Sequence, residues 1–552
     1  MNPVIDFRTD PSQYRHWQVE YDGSVARLIM DVDKHAGLFD GYELKLNSYD
    51  LGVDIELNDI VQRMRFEHPE VRVVVMQSGK DGVFCAGANI RMLGGAAHSH
   101  KVNFCKFTNE TRNSFEAAQT DSAQTYIAAV RGACAGGGYE LALACNYIML
   151  TDDSISSVGL PEVPLLAVLP GTGGLTRLTD KRKVRRDLAD MFCSLEEGIK
   201  GKRAAAWRLV DEVIPNSKFD ATVAVRAQEF ASAANAKNVS GAITLGRVER
   251  SITETSIVYE HVSVEILRDL RKAVITLKGP KEAGPADMPA FQAQGDQAYL
   301  LKLCRELEDA ILHLRLNEME TGLWVFRTEG DPELVVAHER LLANNTEHWL
   351  ANEVQQYWKR TLKRIDVTSR SLAAYVEHGS CFAGVLAEIL FSVDRTYMMD
   401  GEFDGDDRPT AGITLTESNF GCYPMGNDLT RLQTRFLAEP SHIDKLNSSL
   451  DEPLDAETAD EMGLVTMILD DVDWHDELRL FEEERASFSP DAMTGMEANL
   501  RFAGPETMET RIFGRLTAWQ NWIFNRPNAV GEAGALQRYG TGLRGDYNME
   551  RV

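Results

Sequence analysis

No Cys-x-x-Cys pair occurs among the eight cysteines, which stand at 85, 105, 134, 145, 193, 304, 381 and 422. That scatter is too thin for a disulfide framework and wrongly spaced for structural zinc, so reduced cytosolic thiols are expected. Positive charge is also scarce: 58 Lys and Arg face 84 Asp and Glu, a net of −26, with no basic block to offset it. Phosphate neutralisation supplies most non-specific affinity for nucleic acid, so that class of partner is excluded. No run approaches the ~18 consecutive apolar residues that span a bilayer, and the opening MNPVIDFRTDPSQYRHWQVEYD lacks the charged-then-apolar order of a secretory signal. Walker and H-E-x-x-H motifs are absent. Gly540-Thr541-Gly542-Leu543-Arg544-Gly545 fits G-x-G-x-x-G, but only seven residues follow it. A dinucleotide fingerprint needs a strand before it and a helix after it. A soluble, cytoplasmic enzyme without a membrane partner is the expectation.

What is present is an ordinary globular composition, 44% hydrophobic and 26% charged. At 552 residues the chain has room for about two to four domains of ~100–200 residues each. Val25–Met30 alternates as a strand, Val71–Met76 reads as a buried strand, and Asp54–Phe66 places Ile55, Ile60, Val61 and Met64 near helical spacing. Gln124–Val130 continues the alternation, followed by a glycine-rich bend and the helical stretch Tyr139–Cys145. This order predicts an α/β fold with largely parallel strands.

Internal repetition sharpens the reading. ELNDIVQRMRFEHPEVRVVVMQSG, from Glu56, is echoed by ELEDAILHLRLNEMETGLWVFRTEG, from Glu306. IAAVRGACAGGGYELALACNYIML, from Ile127, is echoed from Leu372, and LPGTGGLTRL, ending at Leu178, by YPMGNDLTRL, ending at Leu432. Offsets of 250, about 245–248 and 254 residues keep order and spacing, so two copies of one α/β unit are expected, joined by a polar connection near 236–254. The second copy is worn. It has Gly384 beside Val385 and Leu386 where the first has Gly136-Gly137-Gly138, and Val335-Val336-Ala337-His338-Glu339 near the place of Cys85-Ala86-Gly87-Ala88-Asn89. The expected domains are 1–250, catalytic; 251–475, a degenerate scaffold; and 476–552, a helical tail. In that tail Trp519, Trp522 and Phe524 are expected to dock onto a core or a second subunit.

Two loops of the first copy, Cys85–Ile90 and Gly132–Glu140, each follow a strand and open a helix. Their small residues leave N–H groups approachable, and two converging N–H groups would form an oxyanion hole; tight turns alone are the alternative. Glu140 begins an otherwise apolar helix, and Glu162 sits 22 residues later in Gly159-Leu160-Pro161-Glu162-Val163-Pro164. Two carboxylates beside one carbonyl can divide acid and base work. A dipole-favoured helix start for Glu140 and a solvated loop for Glu162 are the bland alternatives.

The ordered set C-A-G-A-N-I, G-x-C-A-G-G-G-Y-E-L-A-L-x-C-N, L-P-E and L-P-G-T-G-G-L-T-R-L resembles the enoyl-CoA hydratase/isomerase (crotonase) superfamily. The resemblance implies a crotonase-like ββα spiral, internally duplicated with a degenerate second copy and a helical C-terminal tail. It implies an acyl-CoA substrate whose thioester oxygen meets the N–H groups of Ala88 and Gly137, with Glu140 and Glu162 as acid and base. Lys45, Ala86, Ile90, Arg91 and Gly136 would contact the substrate and its CoA, and Asn89 departs from the Asp of many members. Single-copy members are about half this length, and a fused dehydrogenase would need a Rossmann fingerprint that the second half lacks. One intact and one worn copy is similar to the branch that opens the oxidised ring of benzoyl-CoA in aerobic benzoate degradation. That resemblance implies conversion of 2,3-epoxybenzoyl-CoA, or its dihydrodiol, to 3,4-dehydroadipyl-CoA semialdehyde and formate. It implies no metal, and no cofactor apart from the CoA of the substrate. Cys105 is the further polar candidate for the acyl pocket, against a reading as a small buried hydrophobe. An enlarged enoyl-CoA hydratase and a non-catalytic acyl-CoA-binding scaffold are the other readings. A homodimer is expected.

Overall fold

The computed structural model describes residues 4–234, 239, 241–401, 403 and 405–552. They form two compact units: the first runs to Arg247 and includes Glu347–Glu353, and the second comprises Val248–Thr346 and Val354–Val552.

In the first unit β1 (Trp17–Asp22) and β2 (Val25–Met30) make an antiparallel hairpin. β3 (Val73–Ser78) continues from β2 in parallel after helix α1 (Leu51–Phe66). α1 begins three residues before the Asp54 that periodicity suggests, because the Asp50 carboxylate accepts from the N–H groups of Gly52 and Val53 at 2.9 and 3.3 Å. β4 (Val83–Cys85) leads through α2 (Ile90–Gly95) and the 24-residue α3 (His98–Asp121) to β5 (Thr125–Val130). Then come β6 (Ala133–Ala135), α4 (Gly137–Ala144), β7 (Tyr147–Asp152), β8 (Ser157–Gly159), the short α5 (Glu162–Leu166) and β9 (Glu212–Pro215). The main sheet has the order β1-β2-β3-β5-β7-β9, and β4-β6-β8 form a second, all-parallel sheet. Each turn of the spiral therefore supplies one strand to each sheet. β5 is buried at every position, as its apolar run requires of a parallel strand covered on both faces.

The second unit repeats this plan. An antiparallel hairpin, Val262–Leu267 with Lys272–Lys278, is followed by parallel strands Leu323–Glu329, Ser371–Val376, Arg395–Met399 and Met467–Leu469. Equivalent side chains anchor equivalent backbone. Glu56 accepts from the N–H groups of Arg15 and His16 at the hairpin's entry, and Glu306 from those of His261 and Val262. Asp59 accepts from the Tyr14 hydroxyl, and Asp309 from that of Tyr259. Asn146 holds the Tyr126 N–H, and Asp394 that of Leu372. The chain is thus internally duplicated, and the repeat is a repeat of contacts.

Two features differ from the sequence expectation. The connection near 236–254 is not a free linker: Ile243 and Leu245 are buried, and the Ile243 N–H donates to the Phe66 carbonyl at 3.0 Å. Residues 236–238 and 240 of that connection lie outside the described residues. The tail from 476 is helical and belongs to the second unit. Trp519 and Trp522 are half-buried, Trp519 along an apolar cavity of about 650 Å³ that Phe524, though exposed, also lines.

Candidate active site

The small sheet sets the site. With β4 and β6 paired in parallel, the loops leaving their ends run side by side. Gly87 has φ +88°, and a Cβ there would lie 2.7 Å from the Gly137 nitrogen and 2.9 Å from the Ala135 carbonyl oxygen, so the loops meet backbone to backbone. A Cβ on Gly137 would lie 3.2 Å from the Ala88 nitrogen and would fall on the Tyr49 hydroxyl. The N–H groups of Ala88 and Gly137 have no acceptor among the described residues. Gly137 also opens α4, whose dipole turns its positive end toward the same place. Asn89 serves as the cap of α2, accepting from the Met92 N–H at 3.0 Å while its amide donates to the Glu43 carbonyl.

Both glutamates are buried beside these loops, 3% exposed for Glu140 and 8% for Glu162. Glu140 is held by the loop before residue 174: it accepts from the N–H groups of Thr172 and Gly174 at 2.9 and 2.8 Å, and from the Thr172 hydroxyl. Glu162 has the opposite surroundings. Its Oε2 has no hydrogen-bond partner among the described residues, and its Oε1 would lie 2.9 Å from a Cβ on Gly136. Burial, and then the charge of Glu140, push the Glu162 carboxyl up to about 7. One carboxylate is fixed by three donors and the other is free to exchange a proton near neutrality.

α3 turns Cys105, Thr108 and Arg112 to one face. Cys105 lies against Gly171 of the loop that holds Glu140, 3.9 Å from the place of a Cβ there, and burial lifts its thiol to about 11. It is a protonated thiol at neutral pH. Arg112 and Tyr49 beneath Gly137, Asp54 beside them, and Thr172 are the side chains sequence reasoning missed. Thr172 stood inside the L-P-G-T-G-G motif, but nothing local marks Arg112, which sits mid-helix in a polar stretch. Of the expected CoA contacts, Lys45 is exposed and paired with Glu43 at 2.8 Å, and Arg91 and Ile90 are exposed at the start of α2. The Ala86 N–H is spent on the Leu46 carbonyl and the Gly136 N–H on that of Gly159, so neither can donate to a substrate.

The enoyl-CoA hydratase/isomerase family profile matches residues 44–256, the part of the chain that carries this geometry. A benzoyl-CoA-dihydrodiol lyase from Aromatoleum evansii is 50% identical over 549 residues, 100% of this chain and 98% of that protein. The chain belongs to the benzoyl-CoA-dihydrodiol lyase family of the crotonase superfamily. A fatty acid oxidation complex subunit alpha from Idiomarina loihiensis is 36% identical, over 29% of this chain and 22% of its own length. An enoyl-CoA hydratase structure from Geobacillus kaustophilus aligns at a TM-score of 0.35 and 32% identity, over 40% of this chain and 75% of that one.

The match to the benzoyl-CoA-dihydrodiol lyase of Aromatoleum evansii runs through both units, so the second copy is part of what the family shares. In that copy Gly384 keeps the left-handed φ of Gly136, +52° against +55°, and Glu388 stands at the place of Glu140, 1% exposed. The rest is closed. Among the described residues no strand matches β4, and helix Pro332–Ala343 stands in its place. From this helix Glu339, 2% exposed, presses its carboxylate onto Gly384, where any Cβ would collide with it. Glu388 accepts from Asn419 at 2.8 Å and pairs with Arg431 at 3.2 Å.

Proposed function

We propose that this chain is a ring-cleaving acyl-CoA lyase that opens the oxidised ring of a benzoyl-CoA derivative with water. The full-length identity to a benzoyl-CoA-dihydrodiol lyase carries this reading. The substrate is 2,3-epoxybenzoyl-CoA or the corresponding dihydrodiol, and the products are 3,4-dehydroadipyl-CoA semialdehyde and formate. From the epoxide, two waters are taken up, and the carbon lost as formate leaves at the oxidation level of a carboxylic acid.

In this reading the thioester oxygen accepts from Ala88 and Gly137, which makes the conjugated ring an electron sink. Glu162, with its proton near half-dissociation at neutral pH, gives a proton to the departing ring oxygen and takes one from water or a ring hydroxyl. Glu140 lies across the same space and orients the second partner of that exchange. Cys105, as a thiol lying against Gly171 of the loop that holds Glu140, assists addition of the second water. Lys45 and Arg91 would meet the CoA phosphates from the exposed side, and no cofactor beyond the CoA of the substrate takes part. The enzyme acts in the cytoplasm, as a homodimer to which the apolar tail contributes.

Product analysis tests the reading. Purified protein given 2,3-epoxybenzoyl-CoA should release formate and a CoA-linked aldehyde without oxygen, metal or nicotinamide. Hydration of crotonyl-CoA with no turnover of the aromatic ester would leave the superfamily and discard the ring-cleaving function.

A further inference from the structure

A cation is buried directly beneath the oxyanion loop. Arg112 on α3 is 1% exposed. One of its terminal nitrogens donates to the Gly137 carbonyl at 3.1 Å and to the Tyr49 hydroxyl at 2.7 Å. Its Nε and other terminal nitrogen find no acceptor among the described residues. Asp54, 3% exposed, lies close enough to interact electrostatically, but its carboxylate accepts from the Thr108 hydroxyl instead. A guanidinium so poorly paired is a costly thing to bury in a fold that only needed packing.

Its two bonds go where the thioester oxygen would be held. Gly137 supplies one of the two open N–H groups and is closed to any side chain because the Tyr49 hydroxyl occupies the place of its Cβ. The Tyr49 backbone also holds the other loop: its N–H donates to the Gly87 carbonyl at 3.0 Å, and its carbonyl accepts from the Asn89 N–H at 2.8 Å. Tyr49 and Arg112 thus clamp both sides of Ala88 and Gly137. The second copy is an internal control. Tyr299 corresponds to Tyr49, but its hydroxyl donates to the Lys278 carbonyl; Asp54 is replaced by Cys304, and Gly137 by Val385. Where the oxyanion loop is lost, the tyrosine is turned to another use.

We propose that Arg112 is a positioning residue for the acyl-CoA reaction: through Gly137 and Tyr49 it fixes the oxyanion N–H groups and lends them a buried positive charge. This rests on the thioester being bound at Ala88 and Gly137 as in the proposed function. Backbone donors aimed at a developing oxyanion act best when they need not reorganise, and a guanidinium is a fixed, permanently charged support.

The test uses the full chain with bound benzoyl-CoA labelled with carbon-13 at the thioester carbonyl, read by difference infrared spectroscopy. The wild-type protein should shift that carbonyl band to lower frequency than in free benzoyl-CoA. Tyr49→Phe, which removes only the hydroxyl, and Arg112→Met should each lose much of the shift. Each should lower kcat by about tenfold with little change in KM, well short of the ~10²–10³ expected for deleting a direct oxyanion donor. Arg112→Lys, which keeps the charge, should recover part of both. If Arg112→Met does not fold, Tyr49→Phe and Arg112→Lys still decide the matter. A carbonyl band and kcat unchanged in Tyr49→Phe and Arg112→Lys would overturn the proposal, and so would a lowered melting temperature with an unmoved band. A wild-type protein that shifts the band but releases no formate from the epoxide would discard the ring-cleaving reading and leave the role of Arg112 standing.

Discussion

The two copies share a scaffold and differ in what fills one small volume. Each begins with a hairpin pinned by a buried glutamate, Glu56 or Glu306, and each carries a buried glutamate after a left-handed glycine, Glu140 or Glu388. In the first copy that carboxylate faces two loops whose N–H groups are open. In the second, a helix has replaced one loop, Val385 has replaced Gly137, and Glu339 lies over Gly384. The difference teaches that the fold is held by contacts at the sheet's edge and in its helices, whereas the site depends on a few positions where nothing larger than hydrogen fits. A copy can lose those positions and keep its core.

Substitutions at the paired glutamates should break the comparison most visibly. Glu140→Gln combined with Glu162→Gln should lower formate release by at least about 10³-fold, since each acid–base partner contributes roughly 10²–10⁴. Glu388→Gln should leave kcat per folded molecule within about twofold, while making the protein about 1–3 kcal/mol less stable through the lost partner of Arg431. Initial rates and denaturant unfolding on the same preparations measure both. Equal loss of rate in the two variants would mean that the second copy takes part in catalysis.

Next in size is the glycine itself. Gly137→Ala drives a methyl group into the Tyr49 hydroxyl, and kcat should fall by about 10²-fold, as when an oxyanion donor is displaced. Gly384→Ala, pressed against Glu339, should affect unfolding and not turnover.

Proton affinity sharpens the contrast further. Glu162 is raised to about 7, by burial first and by Glu140 second, so kcat/KM should bend near pH 7. In Glu140→Gln, whatever rate remains should bend at lower pH, because the charge that raised Glu162 is gone. In the second copy Glu339 and Glu388 are also raised to about 7, chiefly by burial. The folded state then holds protons that the unfolded chain releases near 4.5, so their stabilising contribution is complete below about pH 4.5 and is lost as pH rises toward 7. Glu339→Gln should flatten that part of the stability profile. A slope unchanged from the parent would remove Glu339 from the account.

The smallest effect is expected at Lys45, which is exposed and already paired with Glu43. Lys45→Ala should raise KM for the CoA ester by no more than about threefold at moderate salt, as befits a screened surface charge. A rise of tenfold or more would show that the loop closes around the CoA.

Much of this was legible in the letters. Alternating apolar runs and the repeated segments predict a duplicated α/β fold, and the strands and helices fall within a few residues of those expectations. The shifts have local causes, such as the Asp50 cap that starts α1 early. Ala88, Gly137 and Glu140 stand out because small residues run together between a strand and a helix, and Glu162 because its carboxylate sits in an apolar loop. Arg112 and Asp54 do not, since a charge within a helix reads as a solvated face until the helix is packed. The connection after Ala234 reads as a polar linker, yet Ile243 and Leu245 are buried, their N–H groups donating to the Phe66 carbonyl and the Glu67 carboxylate at the end of α1.

Sequence alone determined the period, the class of the main elements of the first copy, the doubling and the two small-residue loops, because these rest on spacing along the chain and on the few residues tolerant of a left-handed backbone. Tertiary structure alone decided which groups meet. Thr172 reaches Glu140 across 32 residues and Arg112 reaches Gly137 across 25, through the register of a three-stranded sheet that no local pattern announces. The proton affinity of Glu162 was decided there too, since burial and the nearness of a second carboxylate are properties of the packed site and not of the residue.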